Sequence, residues 1–538
     1  MSFALPIVAC CALAGVPVAQ RAYTTQERLP ALEARWAGTG LARSIELGTS
    51  YGGRRMVAFE VGAPGPVALS ERPTILLLGA PDGVSLAGNE AVVAILDHLT
   101  ANPSALPKDV TFLAVPWANP DGSARRLAGG GWGANDRPVD EDADGRFDED
   151  GPDDVSGEGF ALEMLLEDAR GTWVRAADGR SLRLAEPGEA PRFLRLDEGK
   201  DDDGDGVFNE DGPGGVVTDR NFPVAWQGAW TVPGAGSLPL SEPSSRALAE
   251  LVDGRRVALA LVLQGNHGTL VQPGGDASLP AVADDAPIWR ALGHAFARAF
   301  RRAEPTTPRL DAVGGRGGSV ADWLYYANGI ATLELAPWGL CVTQDEVRAR
   351  NGAFASHVEP RRRGGDDARW CAWIDETRGG IGFLDWEPIQ LDDGRTGYVG
   401  GWEPRTRDNP PAEELQRALG GVADFVIAAA HALPRFKIEV KSVRHEGALA
   451  EIVAHVRNYG GLSSRAGPRD ARPALHLGIE LGGGARLAAG APRSEVGELD
   501  GGALSEPISW WIVSEEGTPV RLVLDGPGIV PVIAEVRP

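Results

Sequence analysis

Four cysteines are all that 538 residues contain, and Cys10 and Cys11 fall in an N-terminal apolar run. Cys341 and Cys371 are the pair that remains, so the chain has at most one disulfide between them, or two free thiols. Long hydrophobic runs are scarce too. The run at residues 4–19, ALPIVACCALAGVPVA, is too short for a good transmembrane helix. No other segment is long and apolar enough to span a membrane. Basic residues are outnumbered, 52 Lys and Arg against 75 Asp and Glu, for a formal net charge of −23. That balance argues against a nucleic-acid partner, because phosphate contacts need Lys and Arg.

What is there begins with that apolar run. Its small residues and the Ala-containing site before Gln20 fit an export signal over residues 1–20, although no Lys or Arg precedes the run. Ile7-Val8-Ala9-Cys10 is a loose fit to a lipoprotein signal, the alternative to plain export. A chain of 538 residues is too long for one core, so two or more domains are expected.

The organising stretch is Gln264-Gly265-Asn266-His267-Gly268. It follows the apolar run 257–263, which reads as a strand buried on both faces. His267 then lies just past the carboxyl end of that strand, the edge where open α/β sheets bind ligands. Three more apolar runs end in polar groups: 74–78 before Asp82, 110–115 before Asn119, and 330–333 directly at Glu334.

Around these strands the pattern predicts a hairpin over 44–61, a helix over 89–99 packed on the sheet, and an amphipathic helix over 287–302. A helix begins over 321–326, and one long helix covers 411–433 up to Pro434. Residues 341–410 read as irregular, with Arg361-Arg362-Arg363 on a solvated surface. From Arg435 the composition shifts to alternating short strands, 436–440, 450–456 and 475–481, which predicts a β-sandwich over 435–538. His445, His455 and His476 in that tail have no metal-ligand spacing and read as structural.

Residues 128–215 interrupt the α/β rhythm. They hold an internal repeat: DEDADGRFDEDGP at 140–152 and DDDGDGVFNEDGP at 201–213. Alternating aspartates followed by glycine resemble the first half of an EF-hand loop, in which side-chain oxygens converge on Ca²⁺. The candidate ligands are Asp140, Asp142, Asp144 and Asp148 in one copy, and Asp201, Asp203, Asp205 and Asn209 in the other. The twelfth-position Glu is missing, and the alternative is an acidic, solvated loop.

Taken together, Gly48-Thr49-Ser50 with Gly53-Arg54, Asn119-Pro120-Asp121-Gly122, Asp219-Arg220-Asn221-Phe222, His267, Gly317-Gly318-Ser319 with Asp322-Trp323, and Thr332-Leu333-Glu334-Leu335 resemble the M14 zinc carboxypeptidase family over residues 22–433. The Asp-rich insertion and the sandwich tail are similar to those of its larger exported bacterial members. The resemblance implies an α/β fold, a mixed, mainly parallel sheet flanked by helices. It also implies a zinc site built from a His-x-x-Glu pair and a later His, a Glu acting as general base, and arginines that hold a substrate carboxylate. Carried over, Glu90 matches the ligand Glu, His267 the later His, Glu334 the base and Arg220 a carboxylate-binding Arg.

This chain departs from the pattern in one central respect: it has no His-x-x-Glu. Aligned from Glu90 the histidine position is Ala87, and aligned from the strand end it is Asp82. Asp82, Glu90 and His267 would make a harder and weaker zinc site than two histidines and a glutamate. Val313 stands near the place of the family's substrate-binding tyrosine, and Arg125 and Arg137 are candidates for a second substrate-binding Arg. The resemblance therefore implies a metallocarboxypeptidase-like hydrolase acting on peptides or peptide-like amides through an altered zinc site. The alternative is an inactive member that binds peptides or glycans. The sequence does not determine the oligomeric state.

Overall fold

The computed structural model describes residues 23–130, 132–140, 145–209, 211–212, 214–274, 279–280, 285–301, 317–340, 365–391, 393–468, 471, 474–515 and 517–538. The sheet that carries the site has seven strands: β1 (Ala42–Thr49), β2 (Arg55–Val61), β3 (Thr74–Gly79), β4 (Thr111–Val115), β5 (Val257–Leu263), β6 (Leu270–Val271) and β7 (Ala331–Leu335). Their spatial order is β1-β2-β4-β3-β5-β7-β6. The central pairs β4–β3, β3–β5 and β5–β7 are parallel. The outer pairs β1–β2, β2–β4 and β7–β6 are antiparallel. The sheet is thus mixed, with a parallel centre.

Every residue of β3, β4, β5 and β7 is buried, as unbroken apolar runs require when helices cover both faces. The period of two divides these side chains between two cores. Ile75, Leu77, Leu259, Leu261 and Leu263 join the helices Leu86–Ala101, Ala286–Phe300 and Val422–Ala432. Leu76, Leu78, Ala260 and Val262 pack instead with Phe222, Trp323 and Leu248, the last on helix Pro243–Val252. Because β3, β5 and β7 run parallel, their carboxyl ends share one edge. Asp82, His267 and Glu334 all lie on that edge.

The stretches read from sequence as irregular build a second sheet. Its six antiparallel strands are, in order, Phe383–Gln390, Thr396–Trp402, Glu163–Glu167, Phe193–Asp197, Trp173–Arg175 and Leu182–Leu184. Short strands separated by Gly, Asp and Pro turns leave little period-two signal, and Glu163–Glu167 pairs with Thr396–Trp402 across more than two hundred residues of chain. A helix, Gly365–Arg378, precedes the Phe383–Gln390 strand. Residues 341–364, which include Cys341 and Arg361-Arg362-Arg363, lie outside the described residues, while Cys371 is a buried thiol.

The single helix expected over 411–433 is two, Ala412–Leu419 and Val422–Ala432. The break falls at Gly421, whose φ of 123° suits glycine alone and whose added Cβ would stand 2.6 Å from the Ala299 carbonyl oxygen. The helix expected from 321 is one α-turn, Val320–Asp322, followed by a π-turn, Trp323–Ala327. Beyond Pro434 two four-stranded sheets face each other. Strand Leu449–Asn458 alternates half-buried and buried residues along its whole length. The shared core of the two sheets, which includes Ile452, Leu477, Trp510 and Leu522, draws only on residues 436–536. No described helix is long and apolar enough to cross a membrane.

Candidate functional site

The turn after β3 and the turn after β5 lock together. Asp82 caps its own turn, its Oδ1 accepting from the amides of Val84 at 3.1 Å and Ser85 at 3.0 Å. The Ser85 hydroxyl donates to Asp82 Oδ2 at 2.5 Å and accepts from the Gly265 amide at 2.7 Å. Gln264 ties in a third segment. Its Oε1 accepts from the Asp82 amide at 3.2 Å, and its Nε2 donates to Asp219 Oδ2 at 2.7 Å. Asp219 Oδ1 in turn accepts from the Val320 amide at 2.9 Å. His267 is buried beside this network, and the turn around it is fixed by Gly268 N donating to Trp338 O at 2.8 Å.

Three carboxylates therefore share the strand edge: Asp82, Asp219 and Glu334. Burial pushes the Asp82 carboxyl up against the hydrogen bonds from Ser85 and Val84, and the Glu334 charge adds to the rise. Burial, then the Glu334 charge, pushes Asp219 up to about 7. Both aspartates lie deep in the fold, yet each keeps part of its surface accessible at the strand edge. Asp219 was not singled out by the sequence as a site residue; its place in Asp219-Arg220-Asn221-Phe222 was the available signal.

Glu90 does not join them. Its carboxylate accepts from the Thr24 amide and, at 3.1 Å, from the Thr24 hydroxyl. It lines a separate cavity of about 260 Å³ with Tyr23, Trp117 and Leu127. The reason is helical rotation. At about 100° per residue, Glu90 is turned roughly 140° from Ser85 around helix Leu86–Ala101. Of the expected set Asp82, Glu90, His267 and Glu334, the fold delivers three to the strand edge and sends Glu90 to the N-terminal segment.

The arginines are engaged elsewhere. Arg220 donates through Nη1 to the Pro233 carbonyl and lies 5.7 Å from the centre of the Trp132 ring. Arg125 pairs with Asp136 at 2.6 Å, and Arg137 pairs with Glu242 at 3.1 Å. Asp121, fully buried, gathers the turn after β1: it accepts from Ser50 Oγ at 2.6 Å, Gly52 N at 2.9 Å and Arg54 Nη1 at 2.7 Å. Two of the sequence landmarks thus meet at one buried carboxylate. Val313 lies outside the described residues.

Among the described residues, three acidic groups converge within 4.8 Å at Asp154, Glu158 and Glu198, and at Asp201, Asp203 and Asp205. Both groups belong to the insertion, and Asp82, Glu90 and His267 form no such group. In the first Asp-rich repeat, Asp142 and Asp144 lie outside the described residues. Asp140 there accepts from the Gly145 amide at 3.1 Å. The two repeats pair with each other at equivalent positions, Asp150 N donating to Asp211 O at 3.2 Å. Asp148 and Asn209, also equivalent, both have a φ of 56°.

Residues 37–160 match the zinc carboxypeptidase (peptidase M14) family. No curated protein matches the chain. Among solved structures, carboxypeptidase A from Helicoverpa armigera is similar at 15% identity and a TM-score of 0.38, covering 60% of this chain and 65% of that one. Bovine thrombin-activatable fibrinolysis inhibitor is similar at 11% identity and a TM-score of 0.41, covering 77% and 98%. A metallo-carboxypeptidase from Burkholderia cenocepacia is similar at 12% identity and a TM-score of 0.34, covering 75% and 67%. The chain thus spans 65% of the length of the Helicoverpa enzyme. The family match at residues 37–160 takes in β1 to β4, the Asp82 turn and the Asn119 turn, so over this stretch the chain is similar to zinc carboxypeptidases.

Proposed function

We propose that this chain uses the zinc-carboxypeptidase fold to bind peptides without cleaving them. The observation that carries this reading is the direction of Glu90, whose carboxylate is taken up by Thr24 on the far side of its helix. The place of His-x-x-Glu at the end of β3 is filled by Asp82-Gly83-Val84-Ser85, and Asp82 and Ser85 hydrogen-bond to each other. Zinc in this family supplies an activated water and a polarised carbonyl, and a catalytic site normally gives it three protein ligands. Here His267 is the one histidine that the described strand ends deliver, and Asp82 and Asp219 are held by amides and, for Asp82, the Ser85 hydroxyl. This donor set does not fit two histidines and a glutamate.

The edge retains features suited to holding a peptide. Asp82, Asp219 and Glu334 favour a cationic or hydrogen-bond-donating group. Arg220 follows Asp219 in the chain and has the guanidinium that suits a carboxylate, but its Nη1 is bonded to the Pro233 carbonyl, so carboxylate binding by Arg220 is not part of this reading. The test is elemental analysis of the purified protein combined with a mixed peptide library, assayed for cleavage and for binding with and without added zinc. The expected result is substoichiometric zinc after dialysis, no cleavage in either condition, and retained peptides. Stoichiometric zinc, with cleavage that Glu334→Gln abolishes, would establish the hydrolase instead.

We further infer that the Asp-rich repeats bind Ca²⁺. The oxygens of Asp201, Asp203 and Asp205 already converge, and their mutual repulsion is offset by a divalent cation. Pairing of the two repeats at Asp150 and Asp211 makes each loop a support for the other. Calorimetry is expected to show Ca²⁺ binding, and EDTA is expected to lower the thermal midpoint by a few degrees. An unchanged midpoint and no heat of binding would remove Ca²⁺ from the account. Export, proposed on the apolar run at residues 4–19, predicts removal of the N-terminal segment by cleavage next to Gln20, which N-terminal sequencing checks.

A further inference from the structure

The segment between Phe222 and helix Pro243–Val252 is unlike the rest of the chain. Residues 223–240, PVAWQGAWTVPGAGSLPL, contain no charged side chain, in a protein where 24% of residues are charged. Such a stretch is expected to be buried, yet Trp230 is 85% exposed and Leu238 65%. Pro223 and Pro233 are exposed as well. A large indole left in water is uncommon and marks an interaction site when neighbouring apolar groups accompany it.

The segment is held in shape. Asn221, fully buried, donates through Nδ2 to Ala235 O at 2.8 Å and Leu238 O at 2.9 Å. Trp226 Nε1 donates to Ala235 O at 3.0 Å, and the Trp226 and Trp230 rings stand at 85° to each other, 6.4 Å between centres. The Trp230 ring rests on Gly228, where any side chain would overlap it. One face of the indole is thus seated on backbone while the residue stays open to solvent. The loop also leads directly into the site, since Asp219 and Arg220 precede it and Arg220 is hydrogen-bonded to Pro233 within it.

We propose that this loop is a subsite for an aromatic or branched apolar side chain of the bound peptide, with Trp230 as its platform. The proposal rests on the peptide-binding reading above and names the class of peptide it prefers. The chemistry favours an apolar side chain over a sugar. Sugar hydroxyls need several hydrogen-bonding side chains around the stacking ring, and beside the Trp230 indole N–H and that of Trp226, which is bonded to Ala235 O, this loop offers Gln227, Thr231 and Ser237 among prolines, alanines and glycines. An apolar side chain needs what the loop has, a rigid indole and neutral neighbours that water leaves readily.

The test uses the full-length chain with three probes: an octapeptide rich in Phe and Leu with a free carboxyl terminus, its Ser- and Gly-substituted counterpart, and the uncharged oligosaccharide cellotetraose. Trp230 is exposed, so Trp230→Ala is expected to fold normally. It is expected to weaken the Phe/Leu peptide by about tenfold, while the Ser/Gly peptide changes less than about twofold and Trp230→Phe restores most of the loss. Equal affinity of the parent and Trp230→Ala chains for the Phe/Leu peptide would overturn the subsite while leaving peptide binding intact. Binding of neither peptide by the parent chain would overturn the peptide reading itself. Cellotetraose binding that depends on Trp230 would reassign the loop to a glycan.

Discussion

Replacing Gly88 with alanine is expected to destabilise the protein by about 3 kcal/mol or more, the upper end of what overpacking costs. Helix Leu86–Ala101 crosses directly over the end of β5 at this residue. A Cβ on Gly88 would fall inside contact distance of the Leu263 carbonyl oxygen, 2.8 Å from its carbonyl carbon and 3.2 Å from Ala80 N. These are backbone atoms, already joined by the Ala80 N to Leu263 O hydrogen bond at 3.0 Å, so they cannot move aside cheaply. The helix would have to lift. Lifting it pulls Ser85 away from Gly265 and Asp82, the contacts that lock the two site turns. Urea denaturation is expected to show a lower midpoint with an unchanged slope. Peptide retention is expected to fall in the same variant. A midpoint equal to that of the parent would mean that the helix does not approach β5 this closely.

Glu334→Gln is expected to do the opposite and stabilise the protein at pH 8, by about 1–2 kcal/mol. Burial and then the Glu334 charge raise the Asp219 carboxyl to about 7 in the folded chain, whereas an unfolded aspartate titrates near 3.9. The folded state therefore holds the Asp219 proton more tightly. That stabilisation is fully present below the unfolded value and is lost as pH rises through about 7. Asp82 shifts in the same direction for the same first cause, burial. Removing the Glu334 charge removes one of the two main causes at Asp219 and leaves burial in place. Because Asp219 keeps some accessible surface, solvent screens part of the repulsion, and the full shift does not convert to stability. Thermal midpoints of parent and variant should converge near pH 4 and separate above pH 7, the variant being higher. A variant that is less stable than the parent at pH 8 would show that a resident cation uses the Glu334 charge, and would count against the metal-free reading.

The sequence by itself determined those features whose signal is local. Unbroken apolar runs marked β3, β4, β5 and β7, because a strand covered on both faces has no polar side to show. Alternation marked the strands beyond Pro434, and the carboxyl ends of the central runs located Asp82, His267 and Glu334 at one edge. The missing His-x-x-Glu was legible without coordinates. Tertiary structure decided what depends on rotation and on distant partners. Glu90 was one residue in a helix, and only the packing of that helix on β5 and on the Thr24 segment fixed which way its carboxylate points. Asp219 became part of the acidic edge because Gln264 and the Val320 amide reach it from two other segments. The six-stranded sheet was hidden because strands of three to eight residues gain their stability from partners far along the chain, such as Glu163–Glu167 with Thr396–Trp402. Trp230 is the same lesson reversed. Its neutral, apolar neighbourhood predicts burial, and the hydrogen bonds of Asn221 and Trp226 to the loop's own carbonyls hold it open instead.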